Sequence, residues 1–257
     1  MIRINYWLTF SLLAFITSSQ PSLATEKPDE SVSITLAGQL EAPVQRFGQA
    51  KQRILWLSDQ ATQEADSTLA KALANAGLEV WLTPLQATAK QEKTSKPLNS
   101  AAIAELIEES IPSKPEDKLY VFSTGNSAKA TVDALKIWQD ARGSSAQLGG
   151  LILAYPHLQT EKSTSKHPEF IEASTQLKLP IYIFQPANKL KVAVAENLVA
   201  TLEQGSSVVY SELVEDAGDG YLQNQSHSEE ETLQLSLFPA KLAQALEKLT
   251  EATTKPQ

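Results

Sequence analysis

Ser127 lies where a run of strand-forming residues, LYVFST from Leu119 to Thr124, passes through Gly125-Asn126 into a helical pattern that reaches Trp138. A serine at such a junction has two chemical uses. Held on a tight turn beside a base, its hydroxyl is a nucleophile for acyl transfer. Turned toward the first free N–H groups of the helix, it is an N-cap. The nucleophile reading needs an imidazole, and the chain has three histidines. His227 is the first candidate base, because the long acidic loop that carries it, DAGDGYLQNQSHSEEE, can fold back over the junction. His157 is the second, placed by Pro156 at the end of an apolar run. His167 lies in a polar stretch before Pro168. A carboxylate must orient the base, and Asp219 or Glu161 would supply it. For each histidine the plainer reading is a solvated loop side chain.

Several other chemistries find no support. The chain has no cysteine, so disulfides, thiol catalysis and thiolate metal sites are excluded. No histidine pair has metal-ligand spacing, and DAGDG lacks the alternating acidic run of a calcium loop. Asp216 and Asp219 fit turn formation with Gly218 and Gly220 better. Gly149-Gly150 precede a strand, whereas a phosphate-cradling loop must follow one and open a helix. The net charge of −8, with no basic run, gives nothing to attract a phosphate backbone. No cofactor, metal or nucleic acid is expected.

The elements that must position Ser127 are legible from hydrophobic period. SVSITLAG and LEAPVQRFG alternate and read as a hairpin turning near Gly38, with Pro43 placing the pair near a sheet edge. RILWLS, EVWLTPL, KLYVFSTG, LGGLILAYP, LPIYIFQP and SSVVYSELVE read as later strands, most of them continuous apolar runs buried on both faces. Between them lie helical stripes, including Leu69, Ala72, Leu73 and Ala76, which stops at Gly77. Polar stretches, among them QATAKQEKTSKPLN, read as loops, and LSLFPAKLAQALEKL as the last helix. Glu229–Glu231 suit a solvated helix start near its positive end. Trp56, Trp81 and Trp138 are expected in the core.

Repeated strand–helix units after an antiparallel start imply three layers, a mostly parallel sheet of about eight strands with helices on both faces. One domain should cover residues 32–250, after a flexible lead at 25–31 and before a polar tail at 251–257. Residues 1–24 read as a secretory signal, with Arg3, the apolar YWLTFSLLAFI, and Ser22 and Ala24 before the cleavage point. That apolar run, of about 11 residues, is short beside the ~20 of a spanning helix. The expectation is a periplasmic or secreted chain with no transmembrane domain once mature. An uncleaved anchor in the inner membrane is the alternative.

This order of elements resembles the α/β-hydrolase fold over roughly residues 32–250. The family's nucleophile elbow is G-x-S-x-G, and this chain reads Gly125-Asn126-Ser127-Ala128-Lys129, with Lys129 in place of the closing glycine. The resemblance implies an acid after LPIYIFQP, where this chain has Asn188, and a histidine after the last strand, where Ala217-Gly218 leads to Asp219. It also implies oxyanion donors at the N–H of Ala128 and of Gln60. The catalytic set thus departs from the family's pattern. The first functional reading is an exported, non-catalytic or atypical member that binds a ligand in the strand-end cleft lined by Asp59, Gln60, Ser127, His157, Asn188 and Asp219. The second is a serine hydrolase acting on small carboxylic esters with Ser127 as nucleophile. The third is an interaction module that contacts another envelope protein through its polar loops.

Overall fold

The computed structural model describes residues 27–59, 63–89, 94–143, 145–163, 168–187, 189–205, 208–224 and 226–254. The leader 1–24, Gln60, His167 and Asn188 lie outside the described residues.

The chain opens with an antiparallel hairpin, β1 (Glu30–Leu36) and β2 (Leu40–Phe47), which turns at Gly38 with φ of 69°. There follow β3 (Gln52–Ser58), α1 (Gln63–Asn75), β4 (Glu79–Pro84), β5 (Gln86–Ala89), β6 (Ser95–Pro97), α2 (Ser100–Ser110), β7 (Lys118–Thr124), α3 (Ser127–Arg142), β8 (Leu148–Ala154), β9 (Ile181–Pro186), α4 (Lys189–Glu203), β10 (Val209–Val214) and α5 (Glu229–Thr254). They form one ten-stranded sheet in the order β10-β9-β8-β7-β3-β4-β2-β5-β6, with β1 added beside β2. The segment from β3 and β4 through β7 to β10 is parallel, and the remainder antiparallel.

The two strands beyond the expected eight are β5 and β6. They form a hairpin within the polar stretch QATAKQEKTSKPLN, expected as a loop. All three residues of β6 are exposed, and backbone pairing at a sheet margin demands no apolar side chain. Pro43 fits its margin position, because β2 pairs with β4 only over 45–47 and with β5 only over 40–41.

Burial on both faces explains the apolar runs. Leu55, Leu57, Val121 and Leu153 face one cluster with α2, α3 and α4; Ile54, Trp56, Phe122 and Phe184 face the other with α1 and α5. Trp56, Trp81 and Trp138 are all buried, and Trp138 donates its indole N–H to Glu108 at 2.8 Å. Gly149, a residue without an assigned role in the sequence, is a packing position: a Cβ there would meet the Tyr120 ring at 2.5 Å. The last helix starts earlier than its apolar stripe. Ser228 and Glu231 exchange side-chain to backbone hydrogen bonds of 3.1 and 3.2 Å, a reciprocal cap that sets the start at Glu229. From there α5 runs through Pro239 to Thr254, into the stretch expected as tail. Among the described residues, no helix is long and apolar enough to cross a membrane.

Candidate functional site

The junction between β7 and α3 stands at the C-terminal end of the parallel strands, in the middle of the sheet. The chain reverses direction through Gly125, whose φ of 48° is left-handed. Glycine reaches that region at no steric cost. Asn126 follows with helical dihedrals and no side-chain capping bond.

Ser127 therefore starts the helix proper, and its side chain turns back into the protein. It is 3% exposed. Its hydroxyl donates to the Thr124 carbonyl at 2.7 Å, accepts from the Thr124 N–H at 3.2 Å, and lies 2.7 Å from the Ser123 hydroxyl. Thr131, one turn further along α3, closes the group at 3.0 Å from Ser123 Oγ. Ser127 thus ties the strand end to the helix start, and its partners differ from the helix N–H groups that an N-cap would hold. Among the described residues, no imidazole hydrogen-bonds its hydroxyl. The Ala128 N–H points to the Gly125 carbonyl at 3.4 Å, within the turn.

The expected bases sit differently. His157 is on the same rim as the turn: its backbone N–H donates to the Gly125 carbonyl at 3.0 Å, and its Nδ1 is 2.8 Å from Asn126 Oδ1. An amide oxygen only accepts, so this contact puts the ring proton on Nδ1. His227 is bound within its own loop, with Nε2 2.8 Å from the Tyr221 carbonyl. Asp219 is exposed in that loop, where Glu231 holds the neighbouring Gly218 N–H at 3.0 Å. Asp59 is exposed at the end of β3, and Glu161 is exposed in the loop after β8.

A second polar group beside the turn consists of residues that sequence reasoning did not select. Asp66, on α1, is fully buried and accepts from the Ser58 hydroxyl. Gln223, in the loop after β10, donates its amide N–H to Asp66 at 3.1 Å and accepts from the Tyr155 hydroxyl at 3.0 Å. Tyr155 follows β8 directly, with φ of 39°, a left-handed conformation that is strained for an aromatic residue. Its ring closes over Gly125, 3.5 Å from where a Cβ would project. Burial first, then the charge of Asp66, pushes the Tyr155 phenol well up, so it stays a donor. Asp66 left one sequence signal: it lies three and seven residues before Leu69 and Leu73, on the helix stripe that faces the core. Gln223, in an irregular loop, left none.

Among the described residues, no group of three or more His, Asp or Glu side chains converges to hold a metal ion. A cavity of about 600 Å³ opens at the far end of α3, lined in part by Lys136, Asp140, Gln176 and Lys178, and shares no residue with the turn.

No protein-family model matches the chain, and no curated protein is similar to it in sequence. Solved structures are similar in shape. A hyperthermophilic esterase from the archaeon Pyrobaculum calidifontis superposes with a TM-score of 0.62 at 14% identity, over 87% of this chain and 88% of that one. An esterase/lipase from an uncultured bacterium gives 0.59 at 13%, over 93% and 95%. A putative dienelactone hydrolase from Klebsiella pneumoniae subsp. pneumoniae MGH 78578 gives 0.58 at 13%, over 84% and 96%. This chain has the α/β-hydrolase fold. In that fold the nucleophile occupies the strained strand-to-helix turn. The strained position after β7 here is Gly125, two residues before Ser127. The small residues flanking it are Ser123 and Ser127, so the five-residue elbow reads Ser123-Thr124-Gly125-Asn126-Ser127.

Proposed function

We propose that this α/β-hydrolase-fold protein is an exported, atypical member that binds a small molecule at the strand ends and does not form an acyl-enzyme on Ser127. One observation carries the reading: the left-handed turn position that presents the nucleophile is Gly125, which has no side chain, while the Ser127 hydroxyl is buried against Thr124 and Ser123. The Ser127 hydroxyl donates to a backbone carbonyl, and among the described residues no imidazole is placed to take its proton. The strand ends carry the exposed polar side chains of Asp59, Asn126 and His157. Ligands gather at this edge in open α/β sheets.

Labelling with a fluorophosphonate tests the reading. Wild-type protein and Ser127→Ala should both remain unlabelled at residue 127. Adduct formation on Ser127 would overturn it. Export is tested by the N-terminus of the protein recovered from cells, which should be Thr25.

One observation favours the ester-hydrolase reading. His157 is joined to the turn through Asn126 and Gly125, so an imidazole stands on the rim of the elbow. In that case the labelled serine would lose reactivity in His157→Ala while the protein stayed folded.

A further inference from the structure

Two hollows adjoin at the end of the sheet opposite the turn after β7. The smaller, of about 330 Å³, is lined by Lys118 and Leu148, the first residues of β7 and β8, and by Pro180, which precedes β9. The larger is the cavity of about 600 Å³ at the end of α3. Gln139 and Lys178 line both, so the two form one depression. Each volume lies within the roughly 300–1,000 Å³ of small-molecule sites. Packing builds the walls. A short 3-10 turn, Glu172–Thr175, sits between α3 and α4. The chain leaving it is pinned to α3, where the Lys178 N–H donates to the Gln139 side-chain carbonyl at 3.2 Å. Past α4, Gly205 lies so close to Leu177 that a Cβ would meet its carbonyl at 2.3 Å. The absence of a side chain at Gly205 therefore lets the end of α4 close the wall.

The lining presents both signs of charge. Among the described lining residues, Lys118, Lys136 and Lys178 are positive and Asp140 is negative. α3, α4 and α5 all end here, at Gly143, Gly205 and Thr253. The last four carbonyls of a helix have no donors within it, and each such end carries about half a negative charge. An anion would meet three helix ends and Asp140, and a cation would meet three ammonium groups. The side-chain amides divide in the same way. Gln139 has its carbonyl engaged by the Lys178 N–H and keeps its NH2 as a donor. Gln176 directs its NH2 at Glu172, at 3.0 Å, and keeps its carbonyl as an acceptor. Among the described residues, the Lys178 ammonium group and the Gln204 side chain make no hydrogen bond or ion pair.

We propose that this depression is a second binding site, for a neutral oligosaccharide. A hydroxyl both donates and accepts. Neighbouring hydroxyls of one ring therefore serve a helix carbonyl and an ammonium group together, with no net charge to be repelled by either. Leu148, Leu179 and Trp138 give the smaller hollow an apolar side for the C–H face of a ring. Two joined hollows take a chain of rings better than a single one. The site shares no residue with the rim at Asp59, Asn126 and His157, so it stands whether or not a ligand binds there.

Binding is read from the proton–nitrogen correlation spectrum of the purified protein, titrated to millimolar concentration with maltotriose, cellotriose and triacetylchitotriose. Succinate and putrescine serve as charged probes. At least one trisaccharide should shift the side-chain NH2 signals of Gln139, Gln176 and Gln204 and leave that of Asn126 in place. Lys178 and Gln204 are exposed, so the fold should tolerate changes at either. Lys178→Ala and Gln204→Ala should each weaken the binding about threefold to tenfold, the effect of one lost hydrogen bond. Gln204→Trp should abolish it by filling the larger hollow; Lys178→Ala serves if the tryptophan variant does not fold. No shift from any of the three trisaccharides would overturn the proposal. Tighter binding of succinate or putrescine at the glutamine signals would overturn it by assigning the site a charged ligand. Trisaccharide shifts that survive in folded Gln204→Trp, or that centre on Asn126, would overturn it by placing the sugar elsewhere.

Discussion

The ring of Tyr155 lies 3.5 Å from the point where a Cβ would leave Gly125, so the turn after β7 is closed by an aromatic face instead of bearing a side chain of its own. The contact is ordinary van der Waals distance, which leaves room for one carbon. What opposes a side chain at residue 125 is the backbone, at φ of 48°. Gly125→Ala should fold and lose about 1–2 kcal/mol, the left-handed penalty for an L-residue. Equilibrium urea unfolding checks it, and a loss several times larger would mean that the ring cannot accommodate the methyl group.

Ser127→Ala removes a buried hydroxyl that serves both the Thr124 carbonyl and the Thr124 N–H. Leaving those groups unpaired should cost about 1–3 kcal/mol in unfolding free energy. Ser127→Thr, which retains the oxygen, should recover part of this.

Tyr221 is fully buried in the aromatic cluster, and its hydroxyl has no hydrogen-bond partner among the described residues. Replacing it with phenylalanine removes a desolvated polar group and keeps the ring. Tyr221→Phe should therefore be neutral or stabilise by up to about 1 kcal/mol, the reverse of a usual core substitution.

Alkaline pH should weaken the fold through its buried phenols. Burial raises Tyr155, Tyr182 and Tyr221 above the ordinary tyrosine value; Glu212 also raises Tyr182, by hydrogen bonding and by charge, and Tyr221 by charge. A folded value above the unfolded one contributes stability that is complete below about pH 10 and is lost as pH rises toward the folded value. The urea midpoint should be level from pH 8 to 9 and fall above about pH 10. In Tyr221→Phe the fall should be shallower.

The reciprocal cap of α5 predicts one more loss. Ser228→Ala should cost about 0.5–2 kcal/mol and fray the first turn, visible as faster amide exchange near Glu231.

Sequence alone determined the layers of this protein. Continuous apolar runs such as Ile54–Leu57 and Leu151–Ala154 have few options except strands buried on both faces, and the stripes between them few except helices. Local pattern also placed Ser127 at a strand-to-helix junction and His157 on the same rim. Sequence could not say which residue of TGNSA takes the left-handed turn, because Gly125 and Ser127 are two positions apart and the G-x-S pattern draws the reading to Ser127, although its closing position is Lys129. Backbone direction decided that, by spending the turn on Gly125 and sending the Ser127 side chain inward. The Asp66–Gln223–Tyr155 group belongs wholly to tertiary structure. Its members come from α1, the loop after β10 and the end of β8, and Gln223 is 157 residues from Asp66. A hydrogen bond over that separation leaves no periodicity in the chain, because only the packing of α1 and the last loop on one face of the sheet brings the two side chains within 3.1 Å.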